Sequence, residues 1–409
     1  MDLQIQGIAN RLIEREIQIS GSKSESNRLL ILQQLFPNIR IENLSDSDDT
    51  HHLQEAFAAE SSHVDIGHAG TAMRFLTAFF AAQKGKTVVL SGSDRMHNRP
   101  IKILVEALQE LGAVVEYLSM EGYPPLRIQG SELQKESVSI DGNVSSQYIS
   151  ALLLIAPSLP NGLTLHLEGK ITSVPYIKMT LGLLAQLGID SSFQGHTIRV
   201  NPVTALESQT VVVESDWSSA SYFYSIVALA SLGTRIKLSA YRASSLQGDA
   251  VLAELYTAFG VTTSFEGQSI VLTKSSEPTV DAVNFDLNNA PDIAQTIAVT
   301  CFGLQMSCQL TGLHTLKIKE TDRLEALRKE LTKLGASIVV TQDSLHLEKR
   351  TDFHTNVAIE TYNDHRMAMA FAPLGMLVPI SILDADVVTK SYRNFWSDMK
   401  LLGFQLQAK

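Results

Sequence analysis

Lys319-Glu320-Thr321-Asp322-Arg323 sets a carboxylate between two cations four positions apart. Like charges at that spacing repel on a helix surface, so Lys319 and Arg323 call for an anion between them. Glu320 has its ionised form favoured by these neighbours and disfavoured by desolvation in a closed site, opposing pulls that suit a carboxyl group for moving a proton. A second dense cluster, Tyr362-Asn363-Asp364-His365-Arg366-Met367-Ala368-Met369, opens an apolar run, and a capping Asp364 beside a satisfied His365 is its plain structural alternative. A third, Gly21-Ser22-Lys23-Ser24-Glu25-Ser26-Asn27-Arg28, gathers hydroxyls, a lysine and an arginine at a helix start, suited to phosphate by dipole and charge-assisted hydrogen bonds. It is not a Walker loop, because Gly21 and Lys23 are not adjacent and Glu16, five residues before Gly21, stands where the earlier glycine would be. A generic serine-rich cap would read the same way. Asp292, after Pro291, and the run Asp94-Arg95-Met96-His97-Asn98-Arg99-Pro100 are weaker signals. Arginine is the preferred partner of carboxylate and phosphate, and Pro100 suits the first position of a helix, but a solvated loop is the ordinary reading.

These residues stand at the ends of elements that recur. Six times a β-prone run meets a polar cluster that opens an apolar, helix-like run: at Gly21–Ser24, Ala69–Thr71, Ser145–Gln147, Trp217–Ser219, Ala290–Asp292 and Asn363–Arg366. From Thr71 onward the same point returns at Ser146, Ser219, Asp292 and His365, a period of about 70 residues. Amphipathic segments end in Leu111-Gly112, Leu187-Gly188, Phe259-Gly260, Leu334-Gly335 and Leu402-Gly403, where glycine suits the left-handed conformation that stops a helix. Each unit reads strand, helix, strand, strand, helix, with pairs such as Val114–Tyr117 and Leu126–Ile128, or Ser337–Val340 and Ser344–Leu347, completing it. The class is α/β (α+β) with mixed sheets. At 409 residues the six units divide three and three, with residues 1–20 and 214–409 forming a domain that carries both termini and residues 21–213 an inserted one. The chain then crosses between domains near Ser20 and near Val213, a hinge that predicts closure on charged ligands. Six helix N-termini rich in Ser, Thr, Gly and basic residues are six potential anion sites.

Composition narrows the partners. With 44% hydrophobic and 19% charged residues and a mean hydropathy near zero, the chain is expected to be a soluble, globular, cytoplasmic protein. Its start, Met1-Asp2-Leu3-Gln4-Ile5-Gln6, lacks a basic segment followed by an apolar one, which predicts no secretory signal. The longest apolar stretch, Met367–Leu383, contains Pro373, Gly375 and Pro379, favouring a helix end and a strand over a membrane span. A formal charge of −10 argues against nucleic acid as main partner and leaves small anions in a locally basic cleft. The two cysteines, Cys301 and Cys308, have neither metal-ligand spacing nor a paired framework and read as inert core thiols. The eleven histidines are scattered, and no triad order, zinc signature or dinucleotide fingerprint occurs, so no metal is required.

Taken together, these segments resemble the 5-enolpyruvylshikimate-3-phosphate (EPSP) synthase family, the 3-phosphoshikimate 1-carboxyvinyltransferases, over essentially the whole chain. The motifs that carry the resemblance are Gly21-Ser22-Lys23-Ser24 with Ser26-Asn27-Arg28, Ala69-Gly70-Thr71-Ala72-Met73-Arg74, Val144-Ser145-Ser146-Gln147, Pro175-Tyr176-Ile177, Lys319 to Leu324 and Tyr362 to Met369. The resemblance implies two similar domains of three units each, with the active site in the interdomain cleft. It also implies the reaction: transfer of the enolpyruvyl group of phosphoenolpyruvate to the 5-hydroxyl of shikimate 3-phosphate, with release of phosphate, on the route to chorismate and the aromatic amino acids. By motif position, shikimate 3-phosphate is expected on Lys23, Ser24, Arg28, Ser145, Ser146, Gln147, Ser173, Tyr176, Asp292, Thr315 and Lys319. Phosphoenolpyruvate is expected on Lys23, Gly70, Arg99, Gln147, Arg323, Arg366 and Lys390, the last matched through Thr389-Lys390-Ser391-Tyr392. The resemblance assigns two-way proton transfer to Glu320, deprotonation of the hydroxyl to Asp292 and assistance to the leaving phosphate to Lys23. It implies no cofactor, no metal, no nucleic-acid or membrane partner, and a monomer.

Three positions depart from the family pattern. His68 stands where Asn is common, Phe75 where Pro is common, and Thr315 where an Asn often contacts shikimate 3-phosphate. Phe75 is expected to pack in the core and set where the helix start at Gly70 sits, altering the response to the analogue glyphosate. Two alternatives compete. UDP-N-acetylglucosamine enolpyruvyl transferase shares fold and donor but usually carries a Cys in the loop matching Gly92 to Pro100, where this chain has none. A non-catalytic two-domain anion-binding protein would keep basic helix ends and lose acid and base residues, whereas Asp292 and Glu320 are both present.

Overall fold

Each of the six polar clusters begins a helix or a helical turn in the computed structural model, which describes residues 1–8, 11–59, 61–143, 145–172, 174–350 and 352–409. The helices are Lys23–Leu35, Gly70–Ala81, Ser146–Ile155, Trp217–Leu229, Ala294–Gly303 and His365–Phe371. Asp292 sits in a 3-10 turn, Pro291–Ile293, that leads into its helix. The helix expected at Pro100 starts instead at Lys102, after a 3-10 turn Met96–Asn98. Its entry is held back because the Pro100 carbonyl accepts from Arg74 Nη2 (3.2 Å) and the Tyr148 hydroxyl (2.6 Å), while Ile101 N donates to Gly122 O.

One sheet pattern repeats. His63–Asp65 lies parallel to Thr87–Ser91, which pairs antiparallel with Leu126–Gln129, which pairs antiparallel with Val114–Tyr117. Four more four-stranded sheets follow the same order of one parallel and two antiparallel pairings. Among the described residues the sixth sheet has the parallel pair alone, Ile39–Glu42 with Gln209–Val212. A parallel pair needs a crossover, and in four sheets that crossover is the helix opened by a polar cluster. The remaining two parallel pairs join strands far apart in sequence: Glu14–Ile17 with Arg235–Ser239, and Ile39–Glu42 with Gln209–Val212. The chain divides into two compact units, a terminal unit of Met1–Ser20 with Glu214–Lys409 and an inserted unit of Gly21–Val213. Among the described residues each unit holds three of the six sheets.

The cluster-led helices form the middle of each unit. In the inserted unit those opening at Lys23, Gly70 and Ser146 pack on one another, and in the terminal unit those opening at Trp217, Ala294 and His365 do so. They are buried on nearly every side, as over residues 72–81, 219–229 and 294–302. A helix surrounded in this way reads as a continuous apolar run rather than a stripe. Its polar side chains pair internally, as Ser221 does with Thr296 (2.9 Å) and Thr300 with Ser225 (2.8 Å). The five helix-ending glycines all adopt positive φ, from 76° at Gly260 to 111° at Gly112. The apolar stretch 367–383 divides into helix, 3-10 turn and strand, and among the described residues no helix is long and apolar enough to cross a membrane. Cys301 and Cys308 are both buried, and burial holds the Cys301 thiol well above its ordinary pKa.

Candidate active site

In the terminal unit the Asp292 carboxylate is a hub for three cations. Arg323 Nη1 donates to Oδ1 at 3.0 Å, Lys319 Nζ lies 3.6 Å from the same oxygen, and Arg366 Nη2 donates to Oδ2 at 3.3 Å. Arg366 Nη1 also donates to the Asp292 carbonyl at 3.2 Å. The other edge of Arg323 is held by Asp364, Nε to Oδ2 at 2.6 Å and Nη2 to Oδ1 at 3.4 Å. Asp364 is 0% exposed, and its Oδ1 also caps the helix by accepting from Arg366 N at 2.9 Å. Lys319 and Arg323 do not stand on adjacent turns of one helix as their spacing suggested, although Arg323 still pushes the Lys319 pKa down. The helix begins at Arg323, Lys319 lies outside it, and Asp292 is the anion they share. Glu320, expected between those cations, instead has His365 Nδ1 3.0 Å from its Oε2, while its charge still acts on Arg323.

Burial pulls Arg323 and Arg366 downward, but facing carboxylates outweigh it: Asp364 and Asp292 raise Arg323, and Asp292 foremost holds Arg366 well above its ordinary value. Lys319 goes the other way, since the pull of Asp292 is overcome by burial and by the two neighbouring guanidiniums. Three cations gathered on one carboxylate form the kind of site that charge-assisted hydrogen bonds to an incoming carboxylate or phosphate require. Thr315 adds a buried hydroxyl with no hydrogen-bond partner among the described residues. Lys390 lies outside the hub, its Nζ donating to Asn363 O at 2.7 Å. Glu320, Asp364 and His365 bring ligand-type atoms within 4.8 Å of one another. Both Asp364 oxygens are already held by Arg323, so these residues fit a guanidinium better than a metal ion.

The inserted unit gathers a second group. Arg28 is 3% exposed, with Nε donating to Thr180 Oγ1 (2.8 Å), Nη1 to Ser24 O (2.7 Å) and Nη2 to Ser150 Oγ (3.0 Å). Burial pushes its pKa down to about 10, with Tyr176 and Glu25 near enough to pull it back. Phe75 is buried as expected, but its ring lies under this guanidinium, 5.4 Å from Cζ to the ring centre. Phe75 therefore bears directly on Arg28. Arg99 lies against Gly70: a Cβ there would stand 2.2 Å from Arg99 Nη1. Arg74 links the same helix start to the next loop, through Gly70 O (2.9 Å) and Pro100 O. Lys23 is 3.6 Å from Asp49 Oδ2. Gln147 Nε2 donates to Thr71 Oγ1 at 3.2 Å, tying two helix starts, and Ser145 Oγ caps the helix that Ser146 opens. The His68 ring stands edge-on to His52 at 5.6 Å. Val144 and Ser173 lie outside the described residues.

Sequence reasoning missed the supports more than the contacts. Asp364 was legible as a cap but not as the partner of Arg323, and Thr180 and Ser150 carry no local signal at all, because they reach Arg28 from other helices.

Compared with known proteins, residues 53–399 match the family model "EPSP synthase (3-phosphoshikimate 1-carboxyvinyltransferase)". The chain belongs to the EPSP synthase family. A 3-phosphoshikimate 1-carboxyvinyltransferase of Bacteroides fragilis is 45% identical over 400 residues, 97% of each chain. One from Vibrio atlanticus is 35% identical over 423 residues, covering 96% of this chain and 97% of its own. Among solved structures, an EPSP synthase from Acinetobacter baumannii aligns over 100% of both chains with a TM-score of 0.81 at 21% identity. The enolpyruvyl transferase NikO from Streptomyces tendae aligns with a TM-score of 0.76 at 16% identity, over 99% of this chain and 98% of its own. At those identities the two structures speak for the EPSP synthase fold of the chain.

Proposed function

We propose that the protein transfers the enolpyruvyl group of phosphoenolpyruvate to the 5-hydroxyl of shikimate 3-phosphate and releases phosphate. The observation that carries this reading is the 45% identity to a 3-phosphoshikimate 1-carboxyvinyltransferase over 97% of both chains. The geometry supports it with a carboxylate hub of three cations beside a glutamate–histidine pair. Asp292 takes the proton of the attacking hydroxyl as its oxygen bonds to the enol carbon, and Glu320 gives a proton to the methylene carbon. In the second step Glu320 takes a proton back from the resulting methyl group, the double bond re-forms, and phosphate leaves with help from Lys23. Groups so placed supply ~10² to 10⁴ in rate, and preorganised cations supply more. Arg323, Arg366, Arg99, Gly70 and Lys390 are assigned to phosphoenolpyruvate, with Gln147 and Lys23 touching both substrates. Ser24, Arg28, Ser145, Ser146, Ser173, Tyr176, Thr315 and Lys319 are assigned to shikimate 3-phosphate. The residues call for no metal or organic cofactor.

Phosphate release from phosphoenolpyruvate, measured with shikimate 3-phosphate or UDP-N-acetylglucosamine as acceptor, tests the reading. Turnover is expected with the first and not the second. The reverse preference would transfer the protein to the other enolpyruvyl transferase activity.

A further inference from the structure

A buried carboxylate that the proposed chemistry does not use stands one contact behind the reacting groups. Asp249 lies in the 3-10 turn Gly248–Val251 and is 8% exposed. Gln247 braces this turn against the start of the helix Trp217–Leu229: its side-chain oxygen accepts from Trp217 N (2.9 Å) and its nitrogen donates to Ser215 O (3.0 Å). The brace brings the Asp249 carboxylate onto Ser218, whose hydroxyl donates to Asp249 Oδ2. A hydroxyl has a single hydrogen, so once it is given to Asp249 only lone pairs remain on the Ser218 oxygen. Arg366 Nη2 donates into them at 3.3 Å, and the same nitrogen donates to Asp292 Oδ2 at 3.3 Å. The guanidinium is thus clamped between an oriented hydroxyl and the Asp292 hub. Asp292, Arg366 and Asp216 are the charged groups acting on Asp249.

We propose that Asp249 and Ser218 are positioning residues for Arg366: by accepting the Ser218 hydrogen, Asp249 presents the Ser218 oxygen to the guanidinium and fixes its orientation for an incoming anion. Without that acceptor the Ser218 hydroxyl is free to turn its hydrogen toward a helix carbonyl or toward Arg366 itself, and the clamp opens on one side. The inference rests on the reading of Arg366 as a phosphoenolpyruvate ligand.

Steady-state kinetics of the full chain provide the test. Asp249→Ala and Ser218→Ala are each expected to raise KM for phosphoenolpyruvate roughly 5- to 50-fold, the scale of one oriented charge-assisted hydrogen bond, while KM for shikimate 3-phosphate stays within about twofold. The double variant is expected to match the poorer single one, because both act through the same bond. Asp249→Asn keeps an acceptor and is expected to recover most of the lost affinity. Multiplied effects in the double variant, or an asparagine as damaging as alanine, would overturn the pairing. If Asp249→Ala does not fold, Ser218→Ala carries the same test. Crystal structures of ligand-free wild type and Ser218→Ala give a readout independent of turnover. The proposal expects Arg366 to lose its wild-type place on Asp292, and an unmoved guanidinium overturns it. Wild-type protein that turns over neither substrate would defeat the proposed reaction instead, leaving the crystallographic comparison to decide the clamp.

Discussion

At the scale of single residues, the two groups of site residues differ in how their charges are held. Asp292 and Asp364 neutralise the guanidinium of Arg323, whereas Arg28 is surrounded by two hydroxyls, a carbonyl and an aromatic face. A buried cation whose hydrogen-bond partners are all neutral gains from the π face beneath it, a contact worth about 0.5–2 kcal/mol. Phe75→Leu keeps the apolar volume and removes that face. KM for shikimate 3-phosphate is expected to rise roughly 2- to 30-fold, with KM for phosphoenolpyruvate unchanged. A shift confined to phosphoenolpyruvate or glyphosate would return Phe75 to the role of setting Gly70. Glu320→Gln preserves shape and removes the titrating oxygen. Turnover is expected to fall by ~10² or more with little change in shikimate 3-phosphate affinity, and near-normal turnover in a stopped assay would remove Glu320 from the mechanism.

At the scale of elements, the groups packed around a helix start set the room in front of it, and the proposed phosphoenolpyruvate contact at Gly70 depends on that room. The helix Gly70–Ala81 opens without a side-chain cap, and Arg99 occupies the space a Cβ at Gly70 would fill. Gly70→Ala is expected to fold normally, since the end of a flexible arginine can move. Phosphoenolpyruvate KM should rise at least ~10-fold, because misplacement of ~1 Å is costly at such sites. Equal KM in variant and wild type would show that Arg99 adjusts without consequence. The turn before the helix His365–Phe371 is shaped from behind: Tyr362 and Asn363 have φ of 54° and 56°. The fully buried Glu330 accepts from the Tyr362 hydroxyl (2.7 Å) and Glu360 N (3.0 Å). Glu330→Ala orphans both donors and is expected to cost about 2–4 kcal/mol, read as a lowered denaturant midpoint.

At the scale of the whole molecule, every sheet among the described residues is completed inside one unit although the chain passes from one unit to the other and back. Residues 21–213 made alone are therefore expected to fold with a cooperative melt, since Gln209–Val212 supplies the partner of Ile39–Glu42 within that segment. A broad, non-cooperative melt would show that the inserted unit depends on the rest of the chain. Stability should also carry a pH signature from Asp249. Burial first, and Asp292 second, push this carboxyl from an ordinary 3.8 up to about 7. The folded state then holds a proton that the unfolded chain releases, so this contribution is full below pH 3.8 and is lost as pH rises to about 7. Urea midpoints of wild type and Asp249→Asn at pH 5 and pH 8 should diverge, with wild type losing more at pH 8. Parallel shifts in the two proteins would count against the raised value.

The repeat, the helix-ending glycines and the polar clusters at helix starts are legible without coordinates, because each follows from local backbone preference or from a run of apolar residues long enough to be buried. The sequence also carried the motifs by which the family is recognised. Pairings across sequence had to wait for tertiary structure. Arg28 meets Ser150 and Thr180 from 122 and 152 residues away, Arg366 meets Ser218 from 148, and Glu320 meets His365 from 45. No local signal marks such partners, since a buried hydroxyl or carboxylate looks the same in sequence whether it caps its own helix or braces a distant one. Phe75 shows the difference most plainly: its type and burial were legible, while the cation above it is decided only by how the helices Lys23–Leu35 and Gly70–Ala81 pack.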